Sequence, residues 1–274
     1  MMNKLFYCGL IIAIIAFGSA FDCSSRFVSA QTGTYVGGLI SEDTTWTKAN
    51  SPYIFNSSVE VGRGVTLTIE AGTTTRNSLG LYINGTLAAR GTSTDPIVFD
   101  HGLILFLPWS VGWDEQSQTG SIVEYVTIYD IDIQSASPKL NHVTVPVFRS
   151  TGGKPLITNS NIGLTQISGP ATVLNNQFTD TFIAYGDLTI SGNQITGSTD
   201  NFALLVNGSA TITGNTIIGG GTYQQYPSQT PQRIAAFILS AGSPYVSNNI
   251  ITGRGGISVS VVNFVETLQI SNNN

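Results

Sequence analysis

The chain has 274 residues, a formal net charge of −5, only 10% charged residues and 30 glycines. No basic stripe or aromatic-basic patch accompanies this acidic balance, which excludes a nucleic-acid binder. The length allows one or two domains, and scarce charge with abundant glycine fits a β-rich chain with many corners.

Residues 1–30 read as a secretory leader. Lys4 supplies a basic start, and LIIAIIAF over residues 10–17 is too short to span a bilayer comfortably. Cleavage fits after Ala20 or after Ala30, the second being better spaced from the polar stretch, and a retained amino-terminal anchor is the alternative. Cys8 and Cys23 both lie in this leader, so cleavage after Ala30 leaves no thiol or disulfide chemistry. A secreted or cell-surface location is expected, with no membrane span after the leader.

Residues 31–50 are polar and Thr-rich and are expected to lead onto or cap the first coil, because an open parallel edge templates aggregation. Trp46 is expected to lie over the end of the core, with a sugar-stacking role as the alternative. Val59-Glu-Val61, Gly64-Val-Thr-Leu67-Thr-Ile69, Leu81-Tyr-Ile83-Asn-Gly85-Thr-Leu87 and Pro96-Ile97-Val98-Phe99 then alternate apolar with polar. That is the period of a half-buried strand. Residues 101–119 depart from it. LILFLP over residues 103–108 predicts a strand buried on both sides or one with an outward apolar face. Trp109, Trp113, Asp114 and Glu115 follow on a segment that reads as a loop leaving the coil, and strands resume from Ser121.

From Asn141 one phrase recurs: apolar, polar, small, Asn, polar, apolar. Ile190-Ser-Gly-Asn193-Gln-Ile195 and Ile212-Thr-Gly-Asn215-Thr-Ile217 are its clearest copies. Val173-Leu-Asn-Asn176-Gln-Phe178, Val246-Ser-Asn-Asn249-Ile-Ile251 and Ile270-Ser-Asn-Asn273 repeat it, and Val143 and Ser160 take the Asn slot in weaker copies. A spacing of roughly 17–24 residues with one longer gap marks a solenoid. Units this short, rich in Ile, Val, Thr and Phe, are strands, and they bury their apolar face only by stacking. Gly or Asn before the key Asn suits a sharp corner. Stacked amides of Asn176, Asn193, Asn215, Asn249 and Asn273 are expected to bond along the axis, with turn formation alone as the alternative. The longer gap holds a Gly/Pro/Gln-rich insertion over residues 219–233, with Tyr223 and Tyr226, expected to project as a loop. Asn274 falls inside a phrase, so the protein is expected to be longer, with a poorly capped end as the alternative.

This phrase resembles the repeats of right-handed parallel β-helix proteins, the solenoids of pectate-lyase-like folds and of secreted prokaryotic surface proteins. The Ser137-Pro138, Lys154-Pro155 and Ser243-Pro244 lead-ins and the succession over residues 59–99 carry the same resemblance. It covers roughly residue 51 to the end. It implies an all-β fold, a single-stranded right-handed parallel β-helix over residues 51–274, and an exported scaffold. It also implies a rival, because relatives include polysaccharide lyases and glycoside hydrolases.

Glycosidases need two opposed carboxylates, and a β-helix lyase needs acids for calcium and a base to take the proton. Asp130 and Asp132 flank Ile131, share an outer face and form the best catalytic pair; with Glu124 they could hold Ca2+. A solvated outer face is the plainer reading. Trp109 and Trp113 beside Asp114 and Glu115 could form a sugar subsite, and Tyr223 and Tyr226 a glycan contact, against a plainer role in loop packing. Only His101 and His142 are available to a transition metal, so no copper or zinc site is expected. Asn56, Asn84 and Asn207 open glycosylation sequons. The expected function is an exported non-catalytic scaffold, structural or polysaccharide-binding, with polysaccharide or cell-envelope components as partners. A lyase or hydrolase on the same fold is the alternative. Ice or mineral binding by flat Thr rows such as Thr66 and Thr68 is a third reading, which too few coils support.

Overall fold

A computed structural model describes residues 33–76, 79–198, 201–219, 222–223, 232–233, 235–253, 256–259 and 269–274. Gly33–Asn274 forms one compact unit. Among the described residues, 18 strands make one sheet, here sheet A, and 11 make another, sheet B. Pairing within both is parallel. The chain winds as a right-handed parallel β-solenoid of about 10 turns, and the described residues contain no α-helix.

One coil shows the plan. Ala171–Leu174 lies in sheet B, Asn175 turns the corner, and Gln177–Phe178 enters sheet A. A bend leads to Phe182–Tyr185, also in sheet A; Gly186 then turns the chain into Leu188–Ser191, stacked directly on Ala171–Leu174. Other coils fuse the two strands of sheet A, as in Thr144–Thr151 and Asn161–Ser168. Their kink falls at Pro146 and Gly163, where a Cβ on Gly163 would meet the Pro146 carbonyl oxygen at 2.2 Å. Proline has no N–H to give the ladder, and glycine lets the next coil approach.

Alternation sends every second side chain of a strand inward, and the parallel register piles these into columns. Val145, Ile162, Phe178, Ile195 and Ile217 form one column, and Leu140, Ile157, Val173, Ile190, Ile212 and Val246 another; all are buried. Phe178 and Phe182 stack with ring centroids 4.6 Å apart. Burying each such side chain is worth roughly 1.5–3 kcal/mol, gained only through contact with the coils above and below.

The Asn corner needs a left-handed residue in every coil. His142, Asn159, Asn175, Gly192, Gly214, Asn248 and Asn272 all have φ between 51° and 67°. Asn, His and Gly are the types that tolerate this region best. The next residue in each coil points inward. Asn176, Asn193, Asn215 and Asn249 are at most 3% exposed. The backbone N–H of Asn176 donates to Asn193 Oδ1 at 2.8 Å, that of Asn193 to Asn215 Oδ1 at 2.9 Å, and that of Asn215 to Asn249 Oδ1 at 2.9 Å. Asn249 donates in the same way to Asn273 Oδ1 at 2.9 Å. Each Nδ2 also donates to the next Oδ1, at 2.9–3.0 Å. Ser160 and Val143 extend the column: the N–H of Ser160 donates to Asn176 Oδ1, and that of Val143 to Ser160 Oγ. One side chain therefore closes the corner for its own coil and its neighbour, where buried peptide groups would otherwise lack partners.

The opposite corner carries a second column, of glycine. Gly152, Gly169, Gly186, Gly208 and Gly242 all have positive φ. The N–H of each of Gly152, Gly169, Gly186 and Gly208 donates to the coil above its own. Gly169, Gly186, Gly208 and Gly242 precede Asn176, Asn193, Asn215 and Asn249 by one constant interval.

Residues 31–50 were expected to lead onto or cap the first coil; from Thr34 they take part in the stacking. Thr34–Ile40 pairs with Tyr53–Val61 in sheet A, and Thr44–Trp46 with Thr66–Ile69 in sheet B. Trp46 is 2% exposed, stacked on Tyr53 at 4.7 Å and edge-on to Phe55 at 5.8 Å. The insertion after Gly219 contains more than a loop: Thr222–Tyr223 and Gln232–Arg233 pair antiparallel. Tyr226 lies outside the described residues. No described helix is long and apolar enough to cross a membrane.

Candidate functional site

The outward row of sheet A changes character where three coils stack. Asp132, Arg149 and Gln166 lie in register on Asp130–Gln134, Thr144–Thr151 and Asn161–Ser168. Behind them Ile131, Ile133, Phe148 and Ile167 anchor the strands in the core. A shallow cleft of about 380 Å³ opens here, lined among others by Pro108, Asp132, Gln134, Arg149, Thr151 and Gln166.

The structure brings Asp130 and Asp132 to one face, and a single cation serves both. Arg149 Nη2 donates to Asp130 Oδ2 at 2.6 Å, and its Nε lies 3.8 Å from Asp132 Oδ2. Asp130 Oδ1 is buried and has no hydrogen-bond partner. Burial pushes the Asp132 carboxyl above the ordinary aspartate value; Arg149 opposes this and Asp130 adds to it. The folded chain therefore holds a proton on Asp132 more tightly than the unfolded chain does. The stability this contributes is present below the ordinary aspartate range and is lost as pH rises through the raised value. Carboxyl titration followed by NMR should show Asp132 deprotonating later than an exposed aspartate. Arg149→Ala should shift Asp132 further upward, and no change on that substitution would contradict the pairing.

Glu124, which could have joined this pair around Ca2+, lies apart from it. Glu124 lies on Ile122–Glu124 of sheet B, and Tyr125, at φ 48°, turns the corner between them. Its Oε1 accepts from Asn141 Nδ2 at 2.7 Å, and its Oε2 lies 3.5 Å from Arg90. Among the described residues no three His, Cys, Asp or Glu side chains converge as a metal site. His101 is exposed beside Asp100, and His142 stacks on Tyr125 at 4.4 Å.

The Trp segment leaves the coil after Leu103–Phe106, where Ile104 and Phe106 point inward and Leu103 and Leu105 stay half-buried outside. Trp109 is 62% exposed, with the Arg63 guanidinium 4.0 Å from its ring centroid. Trp113 is half-buried beside Arg90 and Lys139, which lie on strands of sheet B. Lys139 donates to Glu115 at 2.7 Å and holds its carboxyl below the usual value. The backbone N–H groups of Gln116 and Ser117 do the same for Asp114. Pro108, which precedes Trp109, lines the cleft beside Asp132. Asp132 and the start of the Trp loop therefore border one cleft, while Trp113 lies beside strands of sheet B.

Tyr223 belongs to the paired strands of the insertion. Asn56 and Asn207 are exposed, whereas Asn84 Nδ2 donates to Glu60 at 2.7 Å. Arg149, Gln134 and Gln166 are not singled out as site residues by composition or motif. Arg149 and Gln166 stand one and two repeat intervals after Asp132, so stepping the period from the acid pair finds them.

No family model and no solved structure matches the chain. A stretch of 64 residues is 45% identical to Protein bark beetle of Drosophila melanogaster; it makes up 23% of this chain and 2% of that protein. The chain is similar to that protein over this short stretch and spans a small fraction of its length.

Proposed function

We propose that the chain is an exported, non-catalytic β-helix of the pectate-lyase-like, secreted surface type, a structural scaffold that binds polysaccharide across the outer face of sheet A. The cleft around Arg149 carries this reading. Its side chains supply both donors and acceptors for sugar hydroxyls. Asp132 in the cleft and Asp130 two residues before it converge on one arginine from one strand. They do not stand on opposite sides of a bond to be cleaved, as glycoside hydrolysis requires. Residues 1–30 act in this reading as the leader that directs export, and amino-terminal sequencing of secreted protein distinguishes cleavage after Ala20 from cleavage after Ala30.

The rival reading, a lyase or hydrolase, is favoured by the raised Asp132 carboxyl beside a cation. Glycan-array binding, paired with incubation on acidic polysaccharides, separates the two. The scaffold reading expects retained glycan, about tenfold weaker binding for Arg149→Ala, and no chain cleavage. Product formed by the native chain and abolished in Asp132→Ala would establish the enzyme instead.

A further inference from the structure

The corner that buries the asparagine column carries a second row of amides on its outside. Asn161, Gln177 and Gln194 begin the strands that follow the corner, stand in register on successive coils and are all exposed. With Asn159 and Asn175 at the corner itself they line a groove of about 420 Å³. No charged side chain lines that groove.

The two rows differ in how their amides are used. Asn176 and Asn193 are saturated by neighbouring coils. The side-chain amides of Asn161, Asn175, Gln177 and Gln194 bond to none of the described residues. At the amino-terminal end of the same corner, His142 occupies the position that Asn159 and Asn175 take in the next two coils, and its ring stacks on Tyr125 at 4.4 Å.

A primary amide offers two donors and one acceptor at fixed angles, a match for adjacent hydroxyl groups. Aromatic rings take the C–H face of a pyranose. The coils repeat at about 4.8 Å, and a linear chain of pyranoses advances by a similar step. Without charge in the groove, an ionic ligand gains nothing there. We propose that this corner binds an uncharged linear polysaccharide lengthwise, one sugar per coil, on a surface separate from the Arg149 cleft. It goes beyond the cleft reading and does not depend on it.

The test uses the full chain with hexasaccharides of β-1,4-linked glucose and of β-1,4-linked xylose, read by calorimetry and by the side-chain amide signals of the NMR spectrum. Binding should strengthen from tetrasaccharide to hexasaccharide and be the same at low and high salt. It should fall about tenfold in a Gln177→Ala, Gln194→Ala double variant and persist in Arg149→Ala. In the native chain the amide signals of Asn161, Gln177 and Gln194 should shift on titration, a readout independent of any variant. Failure of both neutral oligosaccharides to bind, or binding untouched by the double substitution, would overturn the proposal. Binding of an acidic polysaccharide that is lost only in Arg149→Ala, with neither neutral oligosaccharide bound, would overturn it while leaving the cleft reading intact.

Discussion

Asn193→Ala should lower the unfolding free energy by about 3 kcal/mol or more, seen as an earlier urea midpoint. Asn193 is 2% exposed, so water cannot replace what its side chain does. Its Oδ1 accepts from the N–H of Asn176 at 2.8 Å and from Asn176 Nδ2 at 3.0 Å. Its Nδ2 reaches the carbonyls of Val173 and Ser191 at 3.0 Å and Asn215 Oδ1 at 2.9 Å. Alanine leaves the N–H and one Nδ2 hydrogen of Asn176 without their acceptor and takes a donor from the buried Val173 carbonyl, each costing about 1–3 kcal/mol where no alternative exists; the Ser191 carbonyl keeps the N–H of Asn175. Asn193→Asp should be worse, because it keeps the acceptor, turns the donor into a second acceptor and buries an anion. Gln194→Ala, next in sequence, exposed and unbonded, should be close to neutral. If Asn193→Ala and Gln194→Ala unfold at the same urea concentration, the corner does not depend on its amides.

Gly208→Ala should be as damaging by a different route, lowering the melting temperature by roughly ten degrees. A Cβ there would lie 2.3 Å from the carbonyl oxygen and 2.6 Å from the nitrogen of Gly186. Both are backbone atoms of the adjacent coil and cannot rotate away, so the coils must part. Overpacking of this kind costs about 3 kcal/mol or more. Gly214→Ala is the informative comparison. Gly214 also has positive φ, at 65°, but a Cβ there meets nothing within 4 Å. It should pay only the left-handed penalty of about 1–2 kcal/mol. Equal losses at the two positions would mean that backbone strain, and not the approach of coils, explains the glycine column.

The repeat phrase made the fold legible because one residue type answers one local demand. A left-handed residue must turn each corner, and the next must satisfy its peptides, so Gly-Asn or Asn-Asn recurs at the turns from sheet B into sheet A from Asn175 onward. Alternation in Gly64–Ile69 and Leu81–Leu87 marked strands for the same reason. Contacts between coils were harder to read. Successive members of the column are separated by 16 to 34 residues, so register is hidden until the insertions are removed. Asp130 and Asp132 stood out as a pair, yet the cation that holds them, Arg149, lies one coil further on. Glu124 looked close in sequence, but the corner at Tyr125 sends it to another sheet. The glycine column was obscured because glycines are plentiful; only their constant offset from the asparagines distinguishes those that the coils need.

A solenoid requires every coil to advance the chain by the same step, whatever its length. Spin labels placed singly at Lys139, Leu156 or Thr172, each paired with a label at Tyr245, test this by dipolar distance measurement. These positions share one outward row of sheet B, and the last coil before Tyr245 spans the 34-residue interval. The predicted distances grow by about 4.8 Å for each coil crossed, with the long coil contributing no more than the short ones. Distances that follow residue number, or that fail to increase from Thr172 to Leu156 to Lys139, would contradict the solenoid.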